Sequence, residues 1–387
     1  MSSSAQPFND STFQPQDAFA GVYRGKRVLI TGHTGFKGSW LSEWLIALGA
    51  EVTGFSLSPP TQPSLFTQLG LVSRLRHIEG DVRDLAAMRS AVDAARPDLV
   101  FHLAAQPLVR LSYEQPVETY ATNVMGTVNL LEAVRLAARP CTVVAITTDK
   151  CYENKEWVHS YREEDPMGGY DPYSSSKGAA ELVIAAYRRS YFSSPDSSVK
   201  LASARAGNVI GGGDWALDRI VPDCIRALER GESIPVRNKI ATRPWQHVLE
   251  PLSGYLWLGA CLSNSQVSGL TFPPSTYATS FNFGPALASN RTVAELVQEI
   301  LKHWPGKWED KSDSNAVHEA KLLNLTTDKA HHFLGWAPAW PFASTISQTV
   351  GWYRRAAEPG VDHQPLTTEQ IKAYTTAART LAIAWAS

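Results

Sequence analysis

Tyr173 and Lys177 stand four apart in YDPYSSSKGAAEL, a spacing that puts both side chains on one face of a helix. An ammonium close to a phenol favours the phenolate, lowering the tyrosine from about 10 toward the working range so that it can take a proton from a substrate hydroxyl. Thr148 lies 25 residues before Tyr173, at the end of the apolar run CTVVAITT, where its hydroxyl could share that proton. A Tyr-Lys helical pair is common and usually silent by itself. A second constellation therefore matters: TGHTGFKG spaces Gly32, Gly35 and Gly38 in threes. Glycines at such a turn let the backbone approach a pyrophosphate, whose charge sits against the free N–H groups of the following helix. Gly32, Thr34, Gly35, Phe36 and Gly38 are the expected lining.

These groups need elements to hold them. KRVLITGHTGFKGSWLSEWLIALGAEVTGFSL reads as strand, glycine turn, helix ending at Gly49, and strand, a βαβ unit. Short apolar runs recur at LRHIEGDV, DLVFHLAAQ, CTVVAITT and VKLASARAG, separated by helical stretches at Leu85 to Ala95, Val117 to Ala137 and Ser174 to Arg189. Continuous apolar strands alternating with helices predict an α/β fold, a doubly wound parallel sheet of Rossmann type. Beyond about Gly207 the pattern loosens, so a smaller, intergrown C-terminal substrate domain is expected. The division reads as a flexible extension over 1–23, a dinucleotide-binding part over 24–208 that returns near 243–284, and a substrate part over 209–242 and 285–387.

The GxxGxxG spacing resembles that of the extended short-chain dehydrogenase/reductase family. GDVRD, with Asp81 and Val82, looks like that family's loop beside adenine. HLAAQ, with Leu103, Ala104 and Ala105, looks like its strand end beside the cofactor. The set of Thr148, Tyr173 and Lys177 resembles its catalytic triad, and Asn123 in TNVMGTVNLLEAV matches its helix beside the active site. NAD is the implied cofactor. The usual ribose-binding acid about 20 residues after the glycines is absent from GFSLS, Gly54 to Ser58, and Ser56 is the expected contact there. In the nucleotide-sugar 4,6-dehydratases of this family, the two residues after the threonine carry out an elimination. C4 is oxidised, the C5 proton is removed, the C6 hydroxyl leaves as water, and hydride returns to C6. Asp149 would be the acid, tuned by desolvation, and Lys150, where dTDP-glucose relatives carry glutamate, either the neutral base or a cation stabilising the enolate.

TTDKCYEN, YSSSK, GNVIGGGDWALDRIVPD, RPWQHVLEPLSGYL and SLSPPTQPSLF together resemble the CDP-glucose-converting branch of that family, from about Arg24 to Trp352. The resemblance implies CDP-glucose as substrate, a place in bacterial deoxysugar biosynthesis such as that of lipopolysaccharide O-antigen, and a homodimer or homotetramer built on helices 117–137 and 174–189. Gln106, Asn208, Asp214, Arg219 and Arg243 are the expected substrate contacts, arginines being suited to a diphosphate. Arg205 is expected to be structural or cofactor-adjacent, and His247, Glu250 and Trp336 core or interdomain residues. A 4-epimerase of the same fold, another sugar-nucleotide dehydratase and a non-catalytic dinucleotide sensor are the alternatives. A formal net charge of −1 gives no general pull toward nucleic acid or anionic membrane, and no apolar run approaches a spanning helix. The N-terminus lacks the pattern of a signal peptide, so a cytoplasmic location is expected. The four cysteines are scattered without metal-ligand spacing, so no metal is expected. A second TTDK, Thr326 to Lys329, reads as a helix start capped by Thr326 or Thr327.

Overall fold

A computed structural model describes residues 15–194, 197–263, 267, 272–312 and 322–387. The first βαβ unit is β1 (Arg27–Thr31), α1 (Phe36–Ala47) and β2 (Glu51–Ser56). It is followed by β3 (Arg76–Glu79), α2 (Leu85–Ala95), β4 (Leu99–His102), α3 (Gly126–Ala137), β5 (Cys141–Ile146), α4 (Pro172–Tyr191) and β6 (Val199–Arg205). After α5 (Ile220–Glu229) and α6 (Leu249–Ser263), β7 (Ser280–Asn282) completes a seven-stranded sheet ordered β7-β6-β5-β4-β1-β2-β3. Every pairing in it is parallel. The chain starts mid-sheet, winds out to β3 and returns to β4 on the other side of β1. Between β1 and β4 the winding direction reverses, and a crevice opens at the strands' carboxyl ends.

Successive strand residues go to opposite faces, and both faces are covered. Val28 and Ile30 of β1 belong to one core, with Trp40, Leu41, Trp44 and Leu45 of α1 and the apolar face of α6. Leu29 belongs to the other, with Val100, Val143, Leu201, Met88 of α2 and Leu130 of α3. This two-sided burial is why the strands read as unbroken apolar runs. In α6, residues 249 to 262 are all buried, and the helix packs on β5 and β6. The later chain forms three small pairs: Val209–Ile210 with Gln246–His247, Thr242–Pro244 with Asn290–Thr292, and Ile234–Val236 with Trp308–Asp310. Helices α7 (Val293–His303), α8 (Phe342–Ala356) and α9 (His363–Thr380) follow.

Two expectations need correction. The helix expected over Val117 to Ala137 is broken, with an α-turn at Pro116–Tyr120, a π-turn at Ala121–Met125 and then α3. The extension expected to be flexible over 1–23 is in part core: residues 1–14 lie outside the described residues, but Ala18, Phe19 and Tyr23 are buried. The Phe19 ring stacks on Trp385 at 4.8 Å, and the Tyr23 hydroxyl donates to Leu256 O. Two aromatic rings fix this segment, which its polar composition concealed.

Candidate active site

The glycine loop spans the crevice from β1 to α1. At Gly38 a Cβ would lie 2.2 Å from Gly32 O, and at Gly32, with φ +76°, 2.7 Å from Ala104 N, so both positions must be bare for the loop to close on itself. At Gly35 the nearest atom would be 3.5 Å away. There the protein leaves open space at the N-terminus of α1, where no side chain caps the N–H groups. Bare backbone donors at the start of a 12-residue helix fit a dinucleotide pyrophosphate. Phe36 opens that helix, partly buried against the core.

The other expected cofactor residues line the same end of the sheet. Thr34 Oγ1 lies 2.8 Å from Ser56 Oγ and donates to Leu57 O at 3.0 Å, joining the glycine loop to the end of β2. Asp81 is gripped by Arg83, whose side chain and backbone N–H hold its carboxyl below the usual range. Val82 packs where a Cβ on Gly126 would come within 2.7 Å. Leu103, Ala104 and Ala105 follow β4, and Ala104 N donates to Thr31 Oγ1. Asn123, on the π-turn, accepts from Gln106 N at 2.8 Å and donates to Gln106 O at 3.1 Å and Ser176 Oγ at 2.9 Å. The turn thus ties the loop after β4 to α4, a local use of π geometry common near functional sites.

Thr148, Asp149, Lys150, Tyr173 and Lys177 come together at the ends of β5 and α4. Asp171 caps α4 by accepting from Ser174 N, which sets Tyr173 at the helix start with Lys177 one turn on. The Thr148 hydroxyl donates to Asp149 Oδ1 at 2.8 Å, and its nearness to the Tyr173 phenol favours the phenolate. Thr147, by contrast, turns its hydroxyl onto Glu181 in the core, so only the second threonine faces the site. The expected lowering of the Tyr173 phenol is not what the structure shows. Burial and the Asp149 carboxylate outweigh Thr148 and Arg219 and push it up to about 12. Lys177 is held down to about 8 by burial, against the pull of Glu181 and Cys151, and its ammonium lies 3.5 Å from Ile146 O.

Asp149 is wholly buried. Lys150 Nζ lies 3.7 Å from its Oδ1, and Asn208 Nδ2 donates to its Oδ2 at 3.4 Å. Room for the carboxylate is made by Gly207, where a Cβ would stand 1.9 Å from Asp149 Oδ2. Arg219, at the start of α5, bonds Asp214 at 2.8 Å and acts on Tyr173, so it faces the triad. Asp214 also accepts from Ala216 N, which makes it the holder of Arg219. Arg243 is buried on Thr242–Pro244, its guanidinium donating to Thr242 O. The Gln106 carboxamide differs from its expected role. It donates to Leu108 O and Thr119 Oγ1 and accepts from Leu108 N, shaping its own loop. Arg205 is structural: buried, it bonds both oxygens of Glu181 at 2.9 and 3.0 Å. Glu250 accepts from Ala339 N, Trp340 N and Tyr374 Oη, a contact between the sheet's helix layer and the C-terminal segment.

Sequence reasoning missed two residues here. His33, inside the glycine loop, is buried with Nε2 2.7 Å from His77 Nδ1, and a Cβ on Gly54 would lie 2.2 Å from its ring. Gly54, in the stretch lacking the ribose-binding acid, was the available signal. Lys37 of α1 reaches Tyr255 of α6, with Nζ 3.5 Å from the phenol oxygen. In the second TTDK, Thr327 occupies the cap position of the helix Asp328–Leu334 without a side-chain bond, while Thr326 Oγ1 accepts from Asp328 N.

The sequence profile of the family described as GDP-mannose 4,6 dehydratase matches residues 29–349. A CDP-glucose 4,6-dehydratase from Salmonella typhimurium is 49% identical over 337 residues, 86% of this chain and 91% of that protein. A dTDP-D-glucose 4,6-dehydratase from Bos taurus is 25% identical over 88% of this chain and 90% of its own length. Among solved structures, a dTDP-glucose 4,6-dehydratase from Streptomyces venezuelae, with NAD bound, superposes with a TM-score of 0.72 at 25% identity, covering 85% of this chain and 97% of that one.

Proposed function

The chain belongs to the GDP-mannose 4,6 dehydratase family, and on that premise we propose that it is an NAD-dependent hydro-lyase that converts CDP-D-glucose to CDP-4-dehydro-6-deoxy-D-glucose and water. The observation that carries the reading is the buried Asp149 with Lys150, set directly beyond Thr148 and against Tyr173. A 4-epimerase needs no acid for a departing hydroxyl. The choice of cytidine is supported by the 49% identical relative.

NAD held in the glycine cradle supplies a hydride acceptor that gives the hydride back, so the reaction is redox-neutral overall. Tyr173, with a phenol at about 12, is suited to take the C4 hydroxyl proton as that carbon is oxidised, rather than to stand as a free phenolate. Thr148 orients it and Lys177 supplies positive charge behind it. Asp149 delivers a proton to the departing C6 hydroxyl. Lys150 takes the C5 proton as an amine or, as a cation, holds the enolate charge. Arg219 and Arg243 are read as partners of the diphosphate, with Asn208 and Asp214 beside them. The sugar nucleotide would lie between the dinucleotide-binding part and residues 209–242 and 285–387. The same reading includes a homodimer or homotetramer paired through α3 and α4, supported by exposed Met125, Leu136 and Leu182. It also includes a cytoplasmic location, consistent with the lack, among the described residues, of a helix long and apolar enough to cross a membrane.

The test is incubation with CDP-, dTDP-, UDP- and GDP-glucose in deuterated water, followed by mass spectrometry. The expected result is that CDP-glucose loses one water and gains deuterium at C5. Water loss from another nucleotide sugar alone would overturn the cytidine assignment, and sugar inversion without water loss would overturn the dehydratase.

A further inference from the structure

We propose that Glu79, at the end of β3, supplies the carboxylate that β2 lacks: it receives the adenosine ribose hydroxyls of NAD and turns away a cofactor with a phosphate in that place, a role that rests on the NAD reading above. Ser56 ends β2, where an acid serves the ribose in a fold of this kind. In the parallel pairing of β2 with β3, Ser56 stands opposite Glu79 and Gly54 opposite His77. Matched positions of paired strands share a face, so Glu79 lies on one face with Ser56 and, two residues back, His77. The glycine loop covers that face. His33 Nε2 is 2.7 Å from His77 Nδ1, and Thr34 Oγ1 is 2.8 Å from Ser56 Oγ. The Ser56 hydroxyl is thereby engaged, and Glu79 comes next to it, exposed at the carboxyl ends of the strands.

The carboxylate is both aimed and available. Ser58 Oγ donates to Glu79 Oε1 at 2.6 Å, which draws the side chain across the end of the sheet to the stretch without an acid of its own. Gly80 N donates to Ser56 O at 2.9 Å, so the pairing runs to the last residue of β3 and fixes where Glu79 begins. Among the described residues no cation pairs with Glu79, whereas Asp81, the next acid along, is gripped by Arg83 through side chain and backbone. A ribose diol presents two O–H donors that one carboxylate can accept together, and hydrogen bonds to a charged acceptor are the stronger kind. The 2′-phosphate of NADP presents acceptors and negative charge, which the same carboxylate repels. Neither lysine nor arginine stands in Gly54 to Ser58 to offset that repulsion.

Glu79→Gln keeps the shape of the side chain and removes its charge, and Ser58→Ala keeps the charge and removes the donor that aims it. Both residues are exposed, so neither change opens a hole in a core. Dissociation constants for NADH and NADPH are read by nicotinamide fluorescence on the full chain freed of nucleotide, with no sugar nucleotide present. Wild type is expected to bind NADH more tightly. In Glu79→Gln the ratio of the two constants is expected to move toward NADPH by about tenfold, with NADH weakened and NADPH unchanged or tightened. Ser58→Ala is expected to move it the same way by about threefold. General damage to the pocket would weaken both cofactors alike and leave the ratio where it was. A wild-type ratio in Glu79→Gln would therefore overturn the proposal while the preference for NAD stands. A wild type that binds NADPH as tightly as NADH would overturn the cofactor reading and the proposal together.

Discussion

Gly207 shows how a residue without a side chain can decide chemistry. Its missing Cβ is the space occupied by the Asp149 carboxylate, at 1.9 Å from Oδ2 and 2.0 Å from Cγ. An added methyl group must push Asp149 off Thr148 Oγ1 and out of line with Tyr173. Displacements of about 1 Å in a reacting constellation cost on the order of a hundredfold in rate. Gly207→Ala is therefore expected to lose about two orders of magnitude in turnover on CDP-glucose while still quenching or shifting NADH fluorescence as wild type does; turnover within threefold of wild type would show that Asp149 does not depend on this space. Thr148, Asp149, Lys150, Tyr173 and Lys177 were legible in the sequence because short, fixed spacings place them on one strand end and one helix face. Gly207, Lys37 and Gly54 were not, because their roles come from contacts across the fold: Gly207 with Asp149 in another element, Lys37 with Tyr255 more than two hundred positions away, and Gly54 with the His33 ring.

At the scale of elements, the site is held by a buried ion pair rather than by the triad itself. Glu181, one turn beyond Lys177 on α4, accepts from Thr147 at the end of β5, Ser203 on β6 and Arg205 at the end of β6. Arg205 also donates to Tyr152 Oη and Glu163 O, so five segments meet on two charges that are 3% and 4% exposed. Removing one partner strands the other charge in the interior. Glu181→Ala is expected to lower unfolding stability by ~3–5 kcal/mol, measured by urea denaturation; a loss below ~1 kcal/mol would show that the pair contributes little. The run of strands, α2 and α4 followed from periodicity, since those elements satisfy their own backbone and bury one face or both. The helix predicted from Val117 to Ala137 did not, because the π-turn at Ala121–Met125 serves Asn123, whose partners Gln106 and Ser176 lie on two other elements. Likewise Phe19 and Tyr23 acquire their burial from Trp385 and α6, which lie at or beyond the middle of the chain.

For the whole molecule, buried titratable groups predict an acid-sensitive fold. His33, His102 and His247 are each held neutral with pKa values of about 3, in every case chiefly by burial, helped at His33 by His77 and at His102 by Lys177. His247 Nε2 has no hydrogen-bond partner among the described residues, so a proton there would gain nothing. Unfolding returns each ring to about 6.5. Below that value the unfolded chain binds protons the native state refuses, and stability is lost as pH falls from about 6.5 toward 3, at about 1.4 kcal/mol per pH unit for each histidine. Glu250 works in the opposite sense. Burial raises it from 4.5 to about 7 against the bonds from Tyr374, Trp340 and Ala339, so the native state holds an extra proton between those values. That contribution is lost as pH rises through about 7. Near pH 5 to 5.5 the net uptake on unfolding is about two protons, and stability should fall there by about 3 kcal/mol for each unit of acidification, easing to about 1 kcal/mol per unit at pH 6.5, where the unfolded rings are only half protonated. Glu250→Gln removes the opposing proton, and its slope should steepen to about 4 kcal/mol per unit. Urea midpoints at half-unit intervals of pH measure both slopes. A wild-type curve that is flat across this window, or a variant whose slope is no steeper, would mean that these rings or this carboxyl take up protons without unfolding.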